Sequence, residues 1–200
     1  MQALRDFAGQ PLEWFRIDAH CYKLQGHGET LAVADWGTEG NAVKNVVVGR
    51  IEDRRWLLRG TGLLSREVRM YAGDARDLLE TAPPLGLFAF DYQKERQEFR
   101  LTNGRGFIWT WKRSATPTLV CSLPGGQEVL RVQTLRQRLF HPVECIIEIS
   151  PQEDEIPELS LLLFLGLYLG RLAIWSAEHD LKRNPRAWLN LLLSFFEGFR

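Results

Sequence analysis

The feature that most constrains this chain is its longest apolar run, LSLLLFLGLYLG at Leu159–Gly170, twelve residues without a charge. It comes late, after a long stretch that reads as short strands. A β-rich chain followed by one greasy helix is solved most simply by a sheet closed around that helix. The alternative is a membrane anchor over 159–177. A bilayer span needs about 20 apolar residues, whereas 10–14 more often mark a buried core helix. Extending the run to Ala177 places Arg171 deep in lipid, at about 2.5–3.5 kcal/mol on insertion scales. The length rule favours the buried helix.

Strand signals precede it at short intervals: Cys21–Gln25, Thr30–Trp36, Val43–Gly49, Arg54–Arg59, Ser65–Tyr71, Ala75–Glu80, Gly86–Tyr92, Glu98–Thr102, Phe107–Lys112, Thr118–Cys121, Glu128–Gln133 and Arg138–Ile149. Residues before Cys21 read as a short polar lead. Alternation is clean in several: Phe107, Trp109 and Trp111 share one face, and Val68 and Met70 oppose Glu67 and Arg69. Period two marks half-buried antiparallel strands, and a dozen in succession imply a barrel or sandwich. Asn103-Gly104 is the sharpest turn signal and predicts a type I′ hairpin between its flanking strands.

At Pro151 the character changes. Residues PQEDEIPE at Pro151–Glu158 are acidic and broken by proline, which suits a loop leading into a helix whose N-terminal dipole favours acids. The helix is expected over about 158–180, apolar all round in its first half and so buried all round. Gly166 and Gly170 let its backbone approach wall side chains closely. Arg171 either marks the helix's exit to solvent or pairs with an acid inside the mouth. A second helix is expected from Asn184-Pro185, good N-cap and first-turn residues. Its face of Trp188, Leu192, Phe195, Phe196 and Phe199 is more apolar than a lone surface helix needs. That face is the expected interface, with another subunit or a membrane surface. The domain division is therefore 1–180 for the barrel and its helix, and 181–200 for a helical appendage.

Order and pattern here resemble the tubby C-terminal-like superfamily: tubby proteins, phospholipid scramblases and plant LURP-one-related proteins. Tyr22-Lys23-Leu24 followed by Glu29–Ala34 is similar to the opening hairpin, Arg54–Leu58 to an interior strand, and Leu159–Trp175 to the threading helix. The likeness covers about residues 14–177. It implies a mainly β fold, a twelve-stranded closed antiparallel barrel around a central hydrophobic helix. It also implies a non-enzymatic module that binds an anionic lipid headgroup or a protein. The basic pair of tubby proteins has no located counterpart, nor do the proline-rich N-terminus, acylated cysteines and calcium segment of scramblases.

Charge totals exclude some partners. Lys+Arg and Asp+Glu are 25 each, so no global field draws nucleic acid, and any anion site is local. The densest basic stretch, Arg50, Arg54, Arg55, Arg59, Arg66 and Arg69, crosses adjacent strands and supplies the candidate ligand site, since paired guanidinium groups grip phosphate. The plainer reading of the same residues is a solvated outer face, with Glu52, Asp53 and Glu67 close enough to neutralise several. Arg105, Lys112 and Arg113 beside Trp109 and Trp111 fit cross-strand pairing in a wall.

Catalytic and metal chemistry find no support. Cys21, Cys121 and Cys145 are three, widely spaced, which argues against a disulfide framework and for a reducing, cytoplasmic setting. His20, Cys21, His27, His141 and Cys145 lack zinc spacing. Gly60–Ser65 has a strand after it instead of a helix, so it reads as a hairpin turn and not as a dinucleotide loop. Glu153, Asp154, Glu155 and Glu158 lack the alternation of a calcium loop. No cofactor and no metal are expected. A ligand-processing barrel remains an alternative without a catalytic set.

Overall fold

The computed structural model describes residues 4–18, 20–36, 46–61, 67–73, 82–89, 94–112, 116–135, 143–151 and 156–183, the last eleven of these by their backbone alone. Among them are twelve strands in chain order: β1 (Pro11–Arg16), β2 (Cys21–Gly26), β3 (Glu29–Trp36), β4 (Val46–Ile51), β5 (Arg54–Thr61), β6 (Glu67–Ala72), β7 (Gly86–Ala89), β8 (Arg96–Leu101), β9 (Gly106–Lys112), β10 (Thr118–Ser122), β11 (Glu128–Thr134) and β12 (Val143–Ile149). A 3-10 turn (Leu4–Phe7) precedes them and helix α1 (Leu159–Arg183) follows. Each strand pairs with its sequence neighbours, and β1 also pairs with β12, so the antiparallel sheet closes into a barrel without an edge.

The strand that closes it, β1, falls in the stretch read from sequence as a polar lead. Its pattern is short: only Leu12 and Trp14 point inward with full burial, between exposed Pro11, Glu13 and Arg16. Two inward residues are too few for periodicity to register, although they alternate as a strand requires. The expected strand Ala75–Glu80, and the expected second helix with Trp188, Leu192, Phe195, Phe196 and Phe199, lie outside the described residues.

Turn chemistry departs from the type I′ expectation at Asn103-Gly104. The hairpin at Asn103-Gly104 is present, but only Gly104 has positive φ (87°). A type I′ turn needs both central residues there. The Gly104 amide instead donates to the Leu101 carbonyl at 3.0 Å, and the Leu101 amide to the Arg105 carbonyl at 2.9 Å. That is a three-residue loop with an αL glycine. The turn between β10 and β11 repeats it, with Gly126 at φ 91°. The type I′ signature sits between β2 and β3, where His27 (φ 50°) and Gly28 (φ 80°) are both left-handed. Gly60 and Thr61, read as part of a turn, belong to β5.

From Ser160 to Gly170 every residue of α1 is buried. The helix touches β4 and β5 on one arc of the wall and β10, β11 and β12 on the opposite arc. A rod buried all round that touches opposite arcs of a closed sheet runs through its lumen. Fit depends on the glycines. A Cβ on Gly166 would lie 3.0 Å from both Trp109 and Val132, and one on Gly170 3.2 Å from Val132 and 3.3 Å from Cys145 Sγ. A side chain at either position would press on the wall, which would have to give by a few tenths of an ångström. Across the lumen the relation is inverted, and the Phe164 ring occupies the space over wall residue Gly49.

At the end where α1 begins, the helix is tied to two hairpins. Arg105 pairs with Glu158 at 2.8 Å, Asn103 Nδ2 donates to Glu158 Oε1 at 3.3 Å, and Arg54 Nη1 donates to the Pro157 carbonyl at 2.9 Å. The 3-10 turn buries Leu4 and Phe7 at that end as well. The Leu4 amide donates to Glu52 Oε1 at 2.8 Å, which occupies a carboxylate the sequence reading had assigned to neutralising the arginines.

Candidate functional site: the arginine pairs of the outer wall

Alternation sorts the arginine-rich strands cleanly. Gly49 and Ile51 of β4, Trp56 and Leu58 of β5, and Val68 and Met70 of β6 belong to the core. The intervening residues face out. Register then sets Arg50 directly opposite Arg55, and Arg59 directly opposite Arg69. Directly opposed residues share a face about 5 Å apart, and like charges there are destabilising. Two such pairs stand on three neighbouring strands. Between them lies an apolar strip, half-buried Val48 with buried Leu57 and Tyr71, which with Val46 forms a cluster separate from the core. The pairs are four residues apart along β5, about 13 Å at strand rise.

Of the six arginines read as a candidate site, the structure brings four together: Arg50, Arg55, Arg59 and Arg69, all exposed. Arg54 is diverted to the Pro157 carbonyl, and Arg66 lies outside the described residues. Arg69 also holds Glu67 Oε1 at 2.9 Å, and this acceptor is the main cause that raises its guanidinium pKa above the ordinary value. Among the described residues, neither Arg50 nor Arg59 enters an ion pair. Lys23 joins Arg50 in a row that crosses five strands: Phe15, Lys23, Val33, Arg50, Arg55. Its ammonium sits 5.5 Å from the Phe15 ring centroid. Among the described residues, Glu13 and Asp35 flank that row on the outer face, and exposed Asp53 lies in the turn between β4 and β5. Lys23 was missed from sequence because it lies far from the arginine cluster along the chain; only the β2–β3–β4 register aligns them.

The second basic patch disperses. Arg105 ties down the helix, Trp109 is buried inside the barrel, and Arg113 lies outside the described residues. A shallow recess of about 250 Å³ near the β8–β9 turn is lined by Glu98, Phe99, Arg100, Gly104, Gly106, Phe107, Ile108 and Pro124, and its Arg100 already faces Glu98 at 3.5 Å. All three cysteines are free thiols. Among the described residues, no group of three or more His, Cys, Asp or Glu side chains is placed to hold a metal, and no helix is long and apolar enough to cross a membrane. No family model, curated protein or solved structure matches the chain.

At the far mouth of the barrel lies a second polar group, this one buried. Arg171 of α1 faces Glu144 of β12 at 3.8 Å, with side chains 14% and 3% exposed. The Arg171 guanidinium lies 5.7 Å from the Tyr22 ring centroid. Burial raises the Tyr22 phenol pKa, and the nearby Arg171 charge partly offsets this. Aromatics continue the cluster: Tyr22 stacks on Trp14 at 5.6 Å and meets Trp36 edge-on at 6.2 Å, and Trp36 stacks on Tyr168 at 5.2 Å. Of the two roles weighed for Arg171 from sequence, pairing with an acid in the mouth is the one observed.

Proposed function

We propose that the chain is a non-enzymatic binding module of tubby-like architecture, and that it recognises an anionic lipid headgroup on the outer face of β4–β6. The observation that carries this reading is the pair of directly opposed arginines, Arg50 with Arg55. The register sets the two guanidinium groups on one face within reach of a single phosphate, which both can hold by charge-assisted hydrogen bonds. Arg59 and Arg69 provide a second point of attachment about 13 Å along the strand. Lys23 and the exposed Val33 extend the face towards β1. The closed barrel and its buried helix support the tubby-like reading of the architecture.

Vesicle flotation tests the proposal. The protein is expected to float with vesicles of neutral phosphatidylcholine carrying a phosphorylated inositol lipid, to stay in solution with phosphatidylcholine alone, and to lose binding as salt rises. Arg50→Gln with Arg55→Gln should abolish flotation while leaving the fold intact by circular dichroism. Equal flotation of wild type and the double variant, or binding indifferent to salt, would sink the assignment. Salt-sensitive capture of an acidic peptide in place of vesicles would move the same face to a protein partner.

A further inference from the structure

The apolar part of α1 is rich in leucine, and a slide of one turn would exchange Leu159, Leu161, Leu163 and Leu165 for Leu163, Leu165, Leu167 and Leu169. Hydrophobic burial alone therefore specifies the seating of this helix weakly. Phe164 over Gly49, and Gly166 against Trp109 and Val132, key its middle. Its leading end is tied through Glu158 to Arg105 and Asn103. Its exit end needs a determinant of its own.

The β1–β12 pairing supplies one. Trp14 pairs with Cys145, but the next residue, Phe15, pairs with Val143, so Glu144 is the additional residue of a β-bulge. Strict alternation would turn the side chain that precedes inward Cys145 out to solvent. The bulge re-aims it, as bulges do, and Glu144 comes to lie 3% exposed, facing Arg171. Arg171 is the first charged residue of the helix after its uncharged run. A buried ion pair at 3.8 Å is weak evidence for stability, because desolvation consumes most of its attraction; its best-attested use is to fix register. A sheet irregularity that brings a carboxylate to the first helix cation has the form of such a device.

We propose that Glu144 and Arg171 form a latch that seats the exit end of the helix in the barrel mouth. Breaking it frees that end while the leading end stays tied. Two buried thiols report the two ends separately. Cys145 Sγ lies beside Gly170, 3.3 Å from where its Cβ would be. Cys121 lies towards the other end, two residues before the turn that joins β10 to β11. Both are fully buried.

In full-length protein with Cys21→Ser, labelling by a small maleimide is followed residue by residue under native conditions. Glu144→Gln should raise the Cys145 rate at least tenfold and leave Cys121 unchanged. Equal acceleration at both thiols would mean that the pair only adds global stability, and no change at either would mean that it holds nothing; each outcome overturns the latch. Should Glu144→Gln fail to fold, Glu144→Met with Arg171→Met serves, since an apolar pair of similar volume commonly keeps a buried site stable. That double variant is expected to match the parent in denaturant midpoint yet still label quickly at Cys145. Parent-like protection of Cys145 in it would overturn the proposal.

Discussion

Replacing Gly49 by alanine tests the placement of the helix through one methyl group. A Cβ there would lie 2.5 Å from Phe164 Cζ and 3.0 Å from Cδ2, with Cε2 nearer still. Carbon atoms in ordinary contact stand about 3.5–4.0 Å apart, so the ring or the strand must move by more than an ångström. Overpacking of this kind costs about 1–3 kcal/mol. An opposing term exists. Gly49 is not among the positive-φ glycines, so alanine fits the backbone and gains about 0.4–1 kcal/mol by restricting the unfolded chain. The net expectation is a loss of about 1–2 kcal/mol, or about 2–8 °C in Tm for a chain of this size. Urea unfolding followed by tryptophan emission measures it. Phe164→Leu alone should also destabilise, because it opens a void. The double variant lets the new methyl fill part of that void, so the two losses should fall short of additivity by about 0.5 kcal/mol or more. A Gly49→Ala protein more stable than the parent, with an additive cycle, would refute a ring over Gly49 and with it the helix in the lumen.

Stability should also fall in alkali. Burial pushes the Cys121 and Cys145 thiols far above their ordinary value of 9.0. Above pH 9 the unfolded chain therefore releases two protons that the folded chain keeps. The contribution is complete below the unfolded value and declines as pH rises past it, with a limiting slope of about 2.7 kcal/mol per pH unit for two thiols. Urea midpoints that stay flat from pH 8 to 11 would contradict this, while substitution of both cysteines by alanine should flatten the curve. Turn backbone gives a further contrast. Gly104→Ala and Gly125→Ala both place a methyl in open space, but only Gly104 has positive φ. The first should cost about 1–2 kcal/mol and the second should be neutral or stabilising by up to about 1 kcal/mol; effects of the same sign would count against the turn assignment.

Much of this architecture was legible from local pattern. Alternation in Phe107–Lys112 and Ser65–Tyr71 placed Trp109, Val68 and Met70 inward, because a strand's side-chain period of two can be read without knowing its partner. An uncharged run too short for a bilayer, ended by Arg171, announced a helix buried by protein. The boundaries drifted where pairing decides them: β1 was lost because two inward residues make no periodic signal, and the hairpin at Asn103 took a turn that its flanking strands select.

The candidate sites divide the same way. Sequence by itself determined that arginines concentrate between residues 50 and 69, that three widely spaced cysteines argue against a disulfide framework, and that the uncharged run is shorter than a bilayer span. Tertiary structure decided which arginines stand together, since strand register sets Arg50 against Arg55 and aligns Lys23 with them, while Arg54 goes to the helix lead instead. It also decided that Glu144 turns inward to Arg171, because a bulge arises from the mismatch between two strands and leaves no mark in either one read alone. Local periodicity is a property of a segment, whereas register belongs to a pair of segments, and charge pairing across the wall follows the second.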